Sequence, residues 1–250
     1  MTTFILQLIA MVTMTVDHVG YILCDNAIAM RCIGRFAFPI YAFLLAEGFR
    51  HYRNDSDRVN DHLGWIIFLT IISEFTYDFM TGRMDSVNSM VTAQSAMFTL
   101  LGGLLGLIAI ERWKDRPLFM WSALILTAMA DFFLLANYKF AGVLLIYGFY
   151  FYQNRMEGKG YFERLIWLLC IMAVYIPVYH WSRWGFCSPA ELAGTLDSDT
   201  VKWYAMHPLI AMILAGYKGE RGYHSKTFSL VFKYYYAAHM LIVGLLGFLR

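Results

Sequence analysis

"FILQLIAMVTMTVDHVGYIL", residues 4–23, is a run of twenty residues in which only Asp17 and His18 can carry charge near neutral pH. Coiled as an α-helix at 1.5 Å per residue it is about 30 Å long, the thickness of a bilayer's hydrocarbon core. The stretch reads as a transmembrane helix. Its two adjacent ionisable residues then need a reason, because a charge that deep costs about 3 kcal/mol on insertion scales unless something pairs with it. The rest of the chain asks for the same solvent: 59% of its 250 residues are hydrophobic and 15% charged. About nine apolar runs follow one another, near residues 4–24, 32–50, 62–80, 95–112, 117–136, 138–153, 162–182, 201–217 and 228–249. The second is interrupted by Pro39, and the sixth is short. The expected fold is all-α, a polytopic bundle of about nine transmembrane helices forming one domain over residues 1–250, with neither a linker nor a fixed-period repeat.

Basic residues alternate between loops. Arg50, Arg53 and Arg58, then Arg112, Lys114 and Arg116, then Arg155, Lys159 and Arg164, then Lys218, Arg221 and Lys226 fall after the even spans, while the other loops hold only Arg31, Arg83, Lys139, Arg183 and Lys202. By the positive-inside rule the N-terminus is expected in the cytoplasm, in a multi-pass protein of the plasma or inner membrane. "MTTFILQLIA" has neither a basic leader nor a small-residue cleavage site, so the first span is expected to stay. A net charge of +2, with its basic residues grouped between apolar runs, excludes nucleic acid as a partner; the partner surface is lipid. Cys24, Cys32, Cys170 and Cys187 show no metal-ligand or redox spacing, so no metal is expected. Cys24, Cys32 and Cys187 fall near one membrane face and could pair if that face is oxidising.

Depth sorts the ionisable residues. Asp17, His18, Glu74, Asp78, Asp131 and His180 lie in the outer part of outward-running spans, Arg35 and His207 in the outer part of inward-running ones, and His239 nearer the middle. Neighbouring helical residues point about 100° apart, so Asp17 does not orient His18; the two address different neighbours. Glu74 and Asp78 stand four apart on one face. Tyr235 and Tyr236 precede His239 by four and three residues, in reach of its ring. Gly102 and Gly106, one turn apart, read as a close helix–helix contact.

In order and character, "MTVDHVGYIL", "RCIGRFAFPIYAFLLAEGFRHYRN", "FLTIISE", "MFTLLGGLLGL", "GVLLIYGFY", "AGYKGERG" and "FKYYYAAHML" resemble the TraX family, membrane proteins associated with N-terminal acetylation of pilin. The resemblance covers nearly the whole chain, and extends to a wider group of transmembrane acyltransferases. It departs at Ala238, where the family pattern has Pro, and around Asp131. It implies acetyl transfer from cytoplasmic acetyl-CoA to an amine acceptor, a pilin-like or other peptide N-terminus or a small amine, at the outer face. A sugar amine or hydroxyl would need similar chemistry. A proton-coupled transporter would also bury Asp, Glu and His, but no matching repeats support one.

An amine is inert while protonated, so such a reaction needs a general base, and imidazole suits the task near neutral pH. Under this reading His18 is the expected base, with His239 as alternative or relay. Asp17 orients a neighbour or holds an imidazolium, and Arg35 polarises the thioester carbonyl or pairs with Asp17. Asp131 completes the catalytic set. Glu74 and Asp78, with Tyr235 and Tyr236, are expected to receive the acceptor. Arg50, His51, Arg53 and Arg58 in "RHYRNDSDR" are expected to dock the acetyl-CoA nucleotide.

Overall fold

The computed structural model describes residues 1–84, 94–184, 188, 191, 194–223 and 225–250. Among the described residues it contains eleven helices and no β-strand, with one isolated bridge between Gln94 and Ala136. They are α1 Thr3–Ile22, α2 Ile28–Gly34, α3 Ala37–Tyr52, α4 Ser56–Thr81, α5 Ala96–Arg112, α6 Pro117–Phe133, α7 Lys139–Arg155, α8 Tyr161–Trp184, α9 Ser198–Ala205, α10 His207–Ala215 and α11 Lys226–Phe248.

Five segments are long and apolar enough to cross a bilayer: α1, the α2–α3 pair (Ile28–Tyr52), α4, α8 and α11. This differs from nine equivalent spans in two ways. Helices α5 and α7 are 17 residues each, about 25 Å, and sit inside the bundle. Ten residues of α7 are buried, among them Ile146, Phe149 and Tyr150, so it meets other helices where an outer span meets lipid. The eighth run, 201–217, splits at Met206 into α9 and α10 because Pro208 has no N–H to extend the preceding helix and starts the next one. A hydropathy window averages over that break. Proline 39 does not break the second run; it sits in the first turn of α3, where its missing N–H has no intrahelical partner to lose. The interruption falls earlier, at Arg35–Phe36, between α2 and α3.

The centre is α3 packed on α7, around Phe43, Phe49 and Ile146. Helix α5 fits closely there. A Cβ on Gly103 would strike Ile146, and one on Gly106 would strike Tyr147, so small residues let the two backbones approach. Gly102, by contrast, faces Asp131. Outward faces are apolar: Ile67, Ile71 and Phe75 on α4, and Leu118, Ile125 and Leu126 on α6, are exposed. Water would penalise that surface by about 25 cal/mol per Å², whereas hydrocarbon accepts it. The protein is a helical membrane bundle.

Its two ends are tied differently. At one end Met1, Gly216, Tyr217 and the C-terminal turn of α3 meet: the Met1 amine donates to the Gly216 carbonyl at 2.5 Å and the Tyr217 hydroxyl donates to Glu47 at 3.4 Å. At the other, the C-terminal turns of α1, α4 and α8 and the N-terminal turns of α3, α5 and α7 surround a cavity.

Candidate active site

The cavity measures about 410 Å³, and exposed Asn26, Asn137 and Arg183 bring it to the surface at that end of the bundle. Both Asp17 and His18 line it. Helix geometry sends them to different partners. Asp17 Oδ2 accepts from Arg31 Nη1 at 2.5 Å and Oδ1 from Arg35 Nη2 at 3.3 Å. This clamp needs a bare backbone beside it, because a Cβ on Gly34 would overlap the Asp17 carboxylate. Arg35 Nε in turn donates to the Arg31 carbonyl at 3.2 Å. The pair is therefore fixed both by the carboxylate and by its own helical turn.

His18 turns toward α11. Its Nδ1 lies 2.7 Å from His239 Nε2, with the two rings parallel within 3°. His239 Nδ1 lies 2.8 Å from the Tyr235 carbonyl, one turn earlier on α11. A carbonyl only accepts, so His239 carries its proton on Nδ1. With both rings neutral its Nε2 is then an acceptor, and His18 must donate from Nδ1. The backbone of α11 thus sets the tautomer of a ring 221 residues away, leaving His18 Nε2 as the free lone pair. His18 lines the cavity and His239 stands behind it.

Tyr235 and Tyr236 flank the pair. The Tyr235 ring stacks on His239 at 5.1 Å, and its hydroxyl meets Thr15 and the Met11 carbonyl on α1 rather than the imidazole. Tyr236 meets His239 edge-on at 5.9 Å and reaches the cavity.

The remaining expected residues lie elsewhere. Asp131 is buried beside Gly102 of α5 and does not line the cavity. Glu74 accepts from the Ser95 N–H at 2.9 Å, and neither it nor the buried Asp78 lines the cavity. Arg50, His51, Arg53 and Arg58 sit at the Met1 end with acidic partners. Arg50 pairs with Glu47 at 3.2 Å and Glu157 at 2.9 Å, and His51 lies 3.2 Å from Glu47. Arg53 pairs with Glu111 at 3.2 Å, and Arg58 with Asp55 at 3.0 Å. Among the cysteines, Cys24, Cys32 and Cys170 are free, and Cys187 lies outside the described residues.

Sequence reasoning treated several lining residues as loop residues. Arg31, Arg83, Lys139 and Arg183 line the cavity with Arg35, and the Trp203 ring lies 4.9 Å from the Arg35 guanidinium and 5.3 Å from that of Arg183. One signal was available: Arg31 stands four residues before Arg35, on the same helical face.

A multi-helix membrane protein with an ordered histidine pair at the wall of a cationic cavity is the class that fold and site define. The family model described as "TraX protein" matches residues 3–247, and the chain belongs to that family. A 125-residue stretch is 31% identical to the "Probable fimbrial assembly protein FimC, serogroup H1" of Dichelobacter nodosus, covering 47% of this chain and 50% of that protein. The match thus spans about half the length of that relative. No solved structure matches.

Proposed function

We propose that this protein is a membrane acyltransferase of the inner membrane that moves an acetyl group from acetyl-CoA to an amine, with His18 as general base. Membership of a family associated with pilin acetylation and the fimbrial relative support a pilin-like or other peptide N-terminus as acceptor. The observation that carries the reading is the ordered pair: the Tyr235 carbonyl and His239 hold His18, a residue that lines the cavity, in the one neutral tautomer that leaves its Nε2 lone pair outside the pair.

The chemistry balances with these groups. The amine nitrogen attacks the thioester carbonyl, a C–N bond forms, the C–S bond breaks, and the thiolate leaves. His18 Nε2 takes the proton from the attacking nitrogen and returns it to the thiolate sulfur. While His18 is protonated, its Nδ1–H points at His239 Nε2, which supports the imidazolium as a carboxylate does in a catalytic triad. Arg31 and Arg35, fixed by Asp17, are donors for the carbonyl oxygen as charge collects on it. The cationic wall has a second use, since it favours a neutral amine over an ammonium.

The test is transfer of radiolabelled acetyl from acetyl-CoA to a pilin-derived N-terminal peptide by the purified full-length protein. His18→Ala is expected to lower the rate about 10²- to 10⁴-fold, the usual contribution of a general base. His239→Ala, which frees the tautomer but leaves Nε2 in place, should cost less and displace the pH dependence. Undiminished transfer by folded His18→Ala protein overturns the assignment.

A further inference from the structure

Five cations, Arg31, Arg35, Arg83, Lys139 and Arg183, line the cavity beside His18, and among the described residues Asp17 is the one carboxylate that lines it with them. That carboxylate is already divided between Arg31 and Arg35, while Arg31 Nε is buried with no acceptor among the described residues. Lys139 donates to the Ser182 carbonyl at 2.8 Å, a neutral partner that leaves its charge unbalanced. It also begins α7 in a left-handed backbone, φ 48°, a conformation costing a non-glycine residue about 1–3 kcal/mol and kept where the surroundings enforce it. The Trp203 ring lies between Arg35 and Arg183, orienting both guanidinium groups without neutralising either.

Arg31 and Arg35 share one carboxylate, and Lys139 and Arg183 add two further positive charges, a cationic excess that is costly inside a membrane bundle and strongly attractive to an anion. We infer that this cavity is the dock for a phosphate-bearing ligand, with the phosphate held by Lys139 and Arg183 at the mouth. A phosphate group suits the lining better than a carboxylate: its oxygens accept from several directions at once, as separate Arg forks and a Lys point charge require. The nucleotide of a coenzyme A thioester and a phospholipid headgroup both carry that chemistry. The first of these rests on the acyl-transfer reading above and on this end facing the cytoplasm, opposite to the orientation expected from the basic loops; the anion site itself rests on neither.

Calorimetric binding to the full-length protein in neutral detergent tests this, with pyrophosphate, coenzyme A, and phosphatidylglycerol against phosphatidylcholine in mixed micelles as probes. At least one phosphate-bearing probe is expected to bind. It should weaken tenfold or more in Lys139→Gln/Arg183→Gln, by a smaller factor in Arg183→Gln alone, and not at all in Lys159→Gln at the opposite end. Because Arg183 is exposed, its single variant keeps the test valid should the double variant not fold. Coenzyme A bound more tightly than pyrophosphate identifies the nucleotide as the source, and selective phosphatidylglycerol binding identifies the lipid. No binding by any probe, or binding indifferent to Arg183, overturns the inference. Acetyl transfer without phosphate-dependent binding would sink this inference alone; phosphate binding without any transfer would sink the acyltransferase reading alone.

Discussion

The two ends of the bundle both gather basic residues at helix termini and use them in different ways. At the Met1 end each arginine at the close of α3 has a carboxylate, Glu47 and Glu157 for Arg50 and Glu111 for Arg53, and His51 lies beside Glu47 as well. Glu47 is itself buried and also receives the Tyr217 hydroxyl, so the network locks α3 to the chain that follows α10. At the other end Asp17 is the one carboxylate among the described residues that lines the cavity with five cations, and it pairs with Arg31 and Arg35. Paired charge of the first kind fixes structure. Unpaired charge of the second kind is tolerated where a ligand supplies the balance. Pairing, rather than the count of basic residues, separates a structural end from a binding end.

Removing one carboxylate from each end is the most severe way to break the comparison. Asp17→Asn strips Arg31 and Arg35 of their shared anion inside an already cationic cavity, and is expected to cost about 3–5 kcal/mol, the usual penalty for breaking a buried pair. Glu47→Gln leaves Arg50 with Glu157 and keeps an acceptor for Tyr217, so about 1–2 kcal/mol is expected. Thermal midpoints in detergent read both. Equal losses would erase the distinction, and rescue of Asp17→Asn by added pyrophosphate would sharpen it. Next in size is Gly34→Ala. The new methyl must displace the Asp17 carboxylate, an overpacking cost of about 1–3 kcal/mol, and the acyl-transfer rate should fall with the midpoint because the two arginines lose their anchor.

Much of this was legible from residues 4–23 outward, and what was not has a physical reason. Hydropathy located α1, α4, α8 and α11 because each contains an apolar stretch long enough to cross a bilayer. The three-and-four spacing brought Tyr235 and Tyr236 to His239 because that contact is local to one helix. The contact between His18 and His239 crosses 221 residues, and nothing in either segment encodes it. The same holds for Arg53, which looked available for a nucleotide because its partner Glu111 lies 58 residues away, and for the second partner of Arg50, since Glu157 lies 107 residues away while Glu47 is local. Conversely Lys139 and Arg183 looked like loop residues set by topology, since the sequence shows where a cation falls but not whether an acid folds against it. A basic residue in a membrane protein acquires its meaning from tertiary pairing.

The smallest expected effects come from one substitution made at both ends. Lys159 pairs with Glu163 at 3.1 Å, but both side chains are about half exposed, 48% and 47%. Water and salt screen such a pair, and holding two long side chains together offsets most of its attraction, so Lys159→Gln should change stability by less than about 0.5 kcal/mol and leave ligand binding unchanged. Lys139→Gln removes the same charge from a cavity with a cationic excess, while glutamine keeps an N–H for the Ser182 carbonyl. The ligand-free protein should then be as stable as the parent, or more stable by up to about 1 kcal/mol, as repulsion between Arg183 and the lost ammonium is relieved. Pyrophosphate or coenzyme A binding should weaken in the same variant. Midpoints measured with and without ligand separate the two ends directly: flat in both conditions for Lys159→Gln, flat or raised without ligand and lowered relative to the parent with it for Lys139→Gln. A drop in the ligand-free midpoint of Lys139→Gln would mean that its charge is already balanced within the chain.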